Sequence, residues 1–156
     1  MELTDPKTGK TPQINCDGIA LDRDHGYLYF HALTGRKLHR LKLEDLTNSQ
    51  VMDSELSKKV ETFDNTPAPD GMLAGLAANI YLTDLEHNAV VRWDATSGEI
   101  EKVVEDSRLR WPDSMAWGPD GALYVTASQI NRTPRFNQGQ DRTIKPLQLF
   151  RVRPTN

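Results

Sequence analysis

The sequence predicts an all-β fold: three four-stranded β-propeller blades with one short helix between blades. Three observations carry this reading. One unit recurs three times: an acid and a small residue, an apolar strand, a turn, then a strand around a tyrosine. It runs from Asp17-Gly18 to Tyr27-Leu28-Tyr29-Phe30, from Asp70-Gly71 to Asn79-Ile80-Tyr81-Leu82-Thr83, and from Asp113-Ser114 to Leu123-Tyr124-Val125-Thr126. The distance from acid to tyrosine barely changes: 17 to 29, 70 to 81, 113 to 124. Strand repeats of roughly 40–50 residues mark propeller blades, and a propeller places the start of each inner strand on its central channel.

The elements follow in order. Residues 1–13, with Pro6 and Pro12, read as an irregular arm. The whole chain, 1–156, forms a single partial propeller with units at 14–66, 67–106 and 107–153. In the first unit, Ile19 and Leu21, then Tyr27 and Tyr29, then Leu38, Leu41 and Leu43 alternate as three strands. Gly26 suits the first turn, and Leu33-Thr34-Gly35-Arg36 makes the second. Thr47-Asn48-Ser49-Gln50 reads as a helix cap and Asp53–Val60 as the helix, with a strand at Val60–Phe63. Pro67-Ala68-Pro69 excludes helix and delivers Asp70 to the next inner strand.

The second unit contains strands at 71–76, 79–84, 88–93 and 99–104. Its first turn, Ala74–Ala78, is apolar where a propeller turn is usually polar. That marks either a contact surface or drift. The third unit has two clear strands, a polar insertion at Gln129–Lys145, and a strand at Leu147–Val152. Its fourth strand is missing unless the N-terminal arm supplies it.

Composition narrows the function. Mean hydropathy is −0.60 and no run of about 18 apolar residues exists, so no membrane span is expected. The first fifteen residues lack the apolar core of a signal peptide. As it stands the chain reads as cytoplasmic, or as a mature or truncated form. Cys16, the single cysteine, excludes an internal disulfide and reads as a small buried residue. The net charge of −3 argues against nucleic-acid binding. Charge is uneven: residues 1–107 hold 19 acids and 11 bases, residues 108–156 hold 3 acids and 8 bases. The basic set is a phosphate-binding arm, a solvated surface, or arginines pairing with acids of other blades.

Long stretches match a known family in order and spacing. Asn79–Trp93, Asp106-Ser107-Arg108-Leu109-Arg110-Trp111-Pro112-Asp113 and Ser128–Asn137 resemble the bacterial branch of the Yellow/major royal jelly protein family. With the Asp17 and Asp70 units, the resemblance spans about residues 14–153. It implies a six-bladed propeller related to the gluconolactonase/senescence-marker lactonases. It also implies that only the C-terminal three blades are present. Three blades leave sheet faces uncovered, which predicts a partner: a second copy of this chain making a homo-oligomer of two half-propellers, or a separate N-terminal half.

Asp17, Asp70 and Asp113 occupy equivalent repeat positions and are the candidate metal ligands. Carboxylates converging on a channel suit Ca or Mg. In lactonase-type relatives a divalent ion is held by a Glu, an Asn and an Asp. The resemblance puts the Asn at Asp17 and the Asp at Pro69-Asp70-Gly71-Met72, while the Glu falls in the absent half. Each aspartate can equally cap its own turn. Asp70 and His31 are the secondary catalytic candidates, and Trp111 is the candidate to flank a ligand at the mouth. Thr83 and Thr126 are expected to stay away from the channel centre. Three functions stay open: a module binding a small molecule or divalent cation, a metal-dependent lactonase-type hydrolase, and a structural half.

Overall fold

The computed structural model describes residue 5 and residues 8–154; of the predicted arm, residues 1–4, 6 and 7 lie outside the described residues. Three antiparallel sheets follow one another along the chain, each in sequence order. The first blade contains β1 (Cys16–Asp22), β2 (Tyr27–Ala32), β3 (Lys37–Lys42) and β4 (Glu61–Asp64). The second contains β5 (Met72–Ala74), β6 (Asn79–Asp84), β7 (Ala89–Asp94) and β8 (Ile100–Glu105). The third contains β9 (Pro112–Trp117), β10 (Leu123–Ala127) and β11 (Gln148–Val152). The inner strands β1, β5 and β9 stand side by side, so the three starts share one end of the fold.

The third blade departs from the expectation of four strands: it has three among the described residues. The residues just after the arm lie against the first blade. Ile14 N donates to Thr34 Oγ1 at 3.2 Å, and Leu33 N donates to the Asn15 carbonyl at 3.3 Å. Cys16 is exposed rather than buried, because no blade lies on that side of β1.

Between β3 and β4 the chain forms α1 (Leu43–Leu46) and α2 (Asp53–Lys59). The polar run that reads as a cap for α2 instead ends α1. Thr47 Oγ1 donates back to the Leu43 carbonyl at 2.8 Å, and Asn48 Oδ1 accepts from Gln50 N at 3.0 Å. Met52 precedes α2 without a side-chain cap. That helix is helped by Asp53 and Glu55 in its first turn and Lys58 and Lys59 in its last, each facing the favourable end of the dipole.

Two apolar layers join the blades. Ala20, Tyr29 and Leu38 of the first blade meet Met72, Ile80, Leu82, Val91 and Trp93 of the second. Tyr81 and Val90 of the second meet Leu123 and Val125 of the third, with Leu109 between. The repeated tyrosine has one job in both layers. Tyr29 sits edge-on to Trp93 at 6.0 Å, and Tyr81 sits edge-on to Trp117 at 5.1 Å. A smaller cluster of Leu33, Leu85 and Trp111, with Ile130, packs near the strand starts.

The Gln129–Lys145 insertion is built rather than loose. It carries 3-10 turns at Ile130–Arg132 and Pro134–Phe136. Gln129 clamps its far end: Nε2 donates to the Ile144 carbonyl and Oε1 accepts from Ile144 N. Two of the arginines in the basic set pair locally, not across blades: Arg108 with Asp106, and Arg151 with Asp120. The apolar turn of the second blade takes left-handed backbone at Ala77 and Ala78 and leaves Leu76 83% exposed.

Candidate functional site

Ladder interruptions set the position of each aspartate. The β1–β2 register slips between Cys16 and Gly18, which leaves Asp17 in a bulge. The β9–β10 register slips so that Asp113 and Ser114 face the single Thr126. Asp70 lies two residues before the short β5, where side-chain bonds replace the ladder. A bulge leaves a residue unpaired and re-aims its side chain. All three aspartates therefore escape regular pairing at the same end of the inner strands.

Threonines hold two of these interruptions. Thr83 Oγ1 accepts from both Asp70 N and Gly71 N at 3.0 Å, and Thr83 N donates to the Gly71 carbonyl. Thr126 Oγ1 accepts from Ser114 N at 3.0 Å. This corrects the expectation that Thr83 and Thr126 stay remote. The signal was in the sequence: each stands two residues after its tyrosine, at 81–83 and 124–126. Thr83 is fully buried. Thr83→Val is expected to leave two donors unsatisfied and cost about 1–2 kcal/mol by urea denaturation. Serine at 83 should recover most of that loss, and an unchanged midpoint in Thr83→Val would contradict the role.

The three aspartates lie at one end of neighbouring inner strands, though not as a tight trio among the described residues. Asp70 feels the charges of both Asp113 and Asp17. Burial is the largest influence, and with those charges it pushes the Asp70 carboxyl up to about 6. The Trp111 indole N–H opposes this by donating to Asp70 Oδ2 at 2.5 Å. Trp111 is 3% exposed and has a left-handed backbone, φ 54°. Its ring therefore offers no open face to a ligand. It acts on the mouth through its N–H edge, by orienting Asp70.

His31 does not reach the mouth as an acid or base. It is fully buried, its Nδ1 lies 2.7 Å from the Ala32 carbonyl, and its Nε2 lies 2.7 Å from Thr66 Oγ1. The carbonyl only accepts, so Nδ1 carries the proton and Nε2 accepts from the threonine. Burial holds the imidazole below its usual range, hence neutral. It is a strut between the first blade and the segment that leads to Asp70.

The donor set is oxygen only, which suits a hard cation. Among the described residues, no three His, Cys, Asp or Glu side chains are grouped tightly enough to hold a metal ion alone. Donor chemistry fits calcium or magnesium; ligand number falls short of the six to eight oxygens calcium takes. The opposite end of the inner strands is apolar. A cleft of about 450 Å³ there is lined by Leu21, Ala74, Leu76 and Trp117, with Asp22 and Arg23 at its side.

The model of the family described as major royal jelly protein matches residues 7–144. This chain belongs to the major royal jelly protein family. No curated protein matches it in sequence. Solved propellers are similar to it in fold. A gluconolactonase from Xanthomonas campestris superposes with a TM-score of 0.63 at 17% identity, over 91% of this chain and 45% of the other. A calcium-binding protein, regucalcin, from Agrobacterium tumefaciens gives 0.56 at 20% identity, over 90% and 47%. A luciferin-regenerating enzyme gives 0.60 at 15% identity, over 93% and 46%. The chain thus spans under half the length of these structures.

Proposed function

We propose that this half-propeller is a binding module for a divalent cation, with room for a small oxygen-bearing ligand beside it. The observation that carries the reading is Asp70. It stands at the start of the middle of three neighbouring inner strands, and burial first, then the charges of Asp113 and Asp17, push its carboxyl toward the neutral form. A cation would relieve that repulsion. Asp17, Asp70 and Asp113 would supply carboxylate oxygens, and water or a second half the remainder. Trp111 fixes one Asp70 oxygen, so the other is the freer donor.

The test is calorimetric titration with calcium chloride and, separately, magnesium chloride. Saturable binding to the wild-type chain, lost by at least tenfold in Asp70→Asn, is expected. No heat with either metal, or equal affinity in Asp70→Asn, overturns the reading.

A second reading is metal-dependent lactone hydrolysis. It draws on the same carboxylates and on the likeness in fold to a gluconolactonase. A bound divalent ion would supply carbonyl polarisation and an activated water. Hydrolysis of a sugar lactone by wild type with added calcium, compared with Asp70→Asn, separates the two readings. Equal rates remove the hydrolase.

A further inference from the structure

The three blades are unequally covered. β6 is buried on both faces: Ile80 and Leu82 lie toward the first blade and Tyr81 toward the third. β1 and β10 each bury one face fully. In β1, Gly18, Ala20 and Asp22 are buried while Asp17, Ile19 and Leu21 are exposed. In β10, Leu123, Val125 and Ala127 are buried while Thr126 is exposed.

The uncovered faces repeat the chemistry of the covered ones. The second blade turns Met72, Ile80, Leu82, Val91 and Trp93 onto the first. The third blade turns Met115, Leu123, Val125, Phe150 and Val152 onto the second. Strand register puts Ile19, Leu21, Leu28 and Phe30 at the matching places of the first blade, on the face where Leu41 is already buried. Ile19 is 59% exposed and Leu21 42%. The reverse holds at the other end. Tyr29 and Tyr81 each press against the next blade, while Tyr124 shares its face with Ala116, Arg151, Leu149 and Thr126, on which no sheet packs among the described residues. Leu149 is 63% exposed.

We propose that a second copy of this chain covers both faces. The third blade of each copy packs on the first blade of the other, about a two-fold axis along the channel. Two copies suffice because each spans 45–47% of a similar propeller. Charge agrees in sign: residues 108–156 carry eight bases against three acids, and the first blade, residues 14–66, carries nine acids against seven bases. The inference rests on the cation-site reading in one respect. Each copy brings its own Asp17, Asp70 and Asp113 to the same mouth, so the oxygen site is incomplete in one copy. The contact is between unlike faces yet closes on itself, and a ring has no free blade face to propagate.

Sedimentation equilibrium and calcium calorimetry on the 156-residue chain test it. Wild type is expected at twice the 17.6 kDa chain mass. Ile19→Asp and Leu149→Asp change exposed positions, so each should stay folded and sediment as a monomer. Each homodimer would carry a damaged contact twice. A mixture of the two variants leaves one of its two contacts wholly native, so mixing should restore dimer. A monomeric wild type, a dimer unaffected by either variant, or a mixture that stays monomeric overturns the closure. Calcium separates this from the cation reading. Tight binding confined to the dimer supports both. A dimer without calcium binding overturns the cation site and leaves closure standing. A calcium-binding monomer does the reverse.

Discussion

Gly71→Ala should be the most damaging small substitution in the chain, lowering stability by about 3 kcal/mol or more in urea denaturation. A methyl group at Gly71 would stand 1.6 Å from the backbone carbonyl oxygen of Asp113. That oxygen belongs to the start of a neighbouring inner strand and cannot swing aside. Either β5 or β9 must move, and both moves disturb the aspartate mouth. Gly18→Ala is the control. Its methyl would meet Met72 Sδ at 2.7 Å, and a thioether chain re-rotates at small cost. The expected loss there is about 1 kcal/mol. Equal losses in the two variants would mean that the Asp113 backbone yields, and that glycine at 71 is not what lets the inner strands approach.

This pair shows how the sequence was and was not readable. Asp-Gly at 17–18 and 70–71 is visible as a repeat, and the repeat correctly locates two inner strands. The reason for glycine differs between them: a side chain at one and a main-chain oxygen at the other. No spacing rule distinguishes those cases. Tyr29 and Tyr81 were legible for a similar reason. A residue held at one repeat position in successive blades performs one packing task, here an edge-on contact with the next blade's tryptophan. Trp111 was half legible. Its place at the mouth followed from its distance to Asp113, but its role depends on a left-handed backbone that turns the indole N–H onto Asp70. His31 misled because it stands near the end of a strand that could reach the channel, two residues after its tyrosine as Thr83 is. Burial and two local partners overrode position. The bulges at Asp17 and Asp113 left no trace in the apolar pattern, because only Cys16 in β1 and Pro112 in β9 pair beyond them, too few to show the change of face that a one-residue slip brings.

Asp70→Asn is expected to stabilise the metal-free protein at pH 8 by on the order of 2 kcal/mol, a figure discounted for the partial exposure of the carboxylate. The native carboxyl is pushed up to about 6 from an ordinary value of 3.8, chiefly by burial and then by Asp113 and Asp17. Below about pH 4 the group is protonated in both folded and unfolded chains and carries no penalty. Between about pH 4 and 6 the unfolded chain has released a proton that the folded chain retains, so stability falls as pH rises. Above about pH 6 the penalty is constant. Wild type alone would not reveal this. Asp106 is held near 2 by Arg108, and Asp94, Asp120 and Asp141 are also held low, so their contributions run the opposite way as pH falls. The difference between Asp70→Asn and wild type cancels those groups. It should be near zero at pH 4 and reach its full size by pH 7. Asparagine keeps an oxygen for the Trp111 N–H and gains donors toward the neighbouring carboxylates. Saturating calcium should then raise the wild-type midpoint at pH 8 and leave the variant unmoved. A variant less stable than wild type at pH 8 without metal would mean that neither burial nor the neighbouring carboxylates penalise the ionised Asp70 in the folded chain, and the case for a cation beside it would go with that.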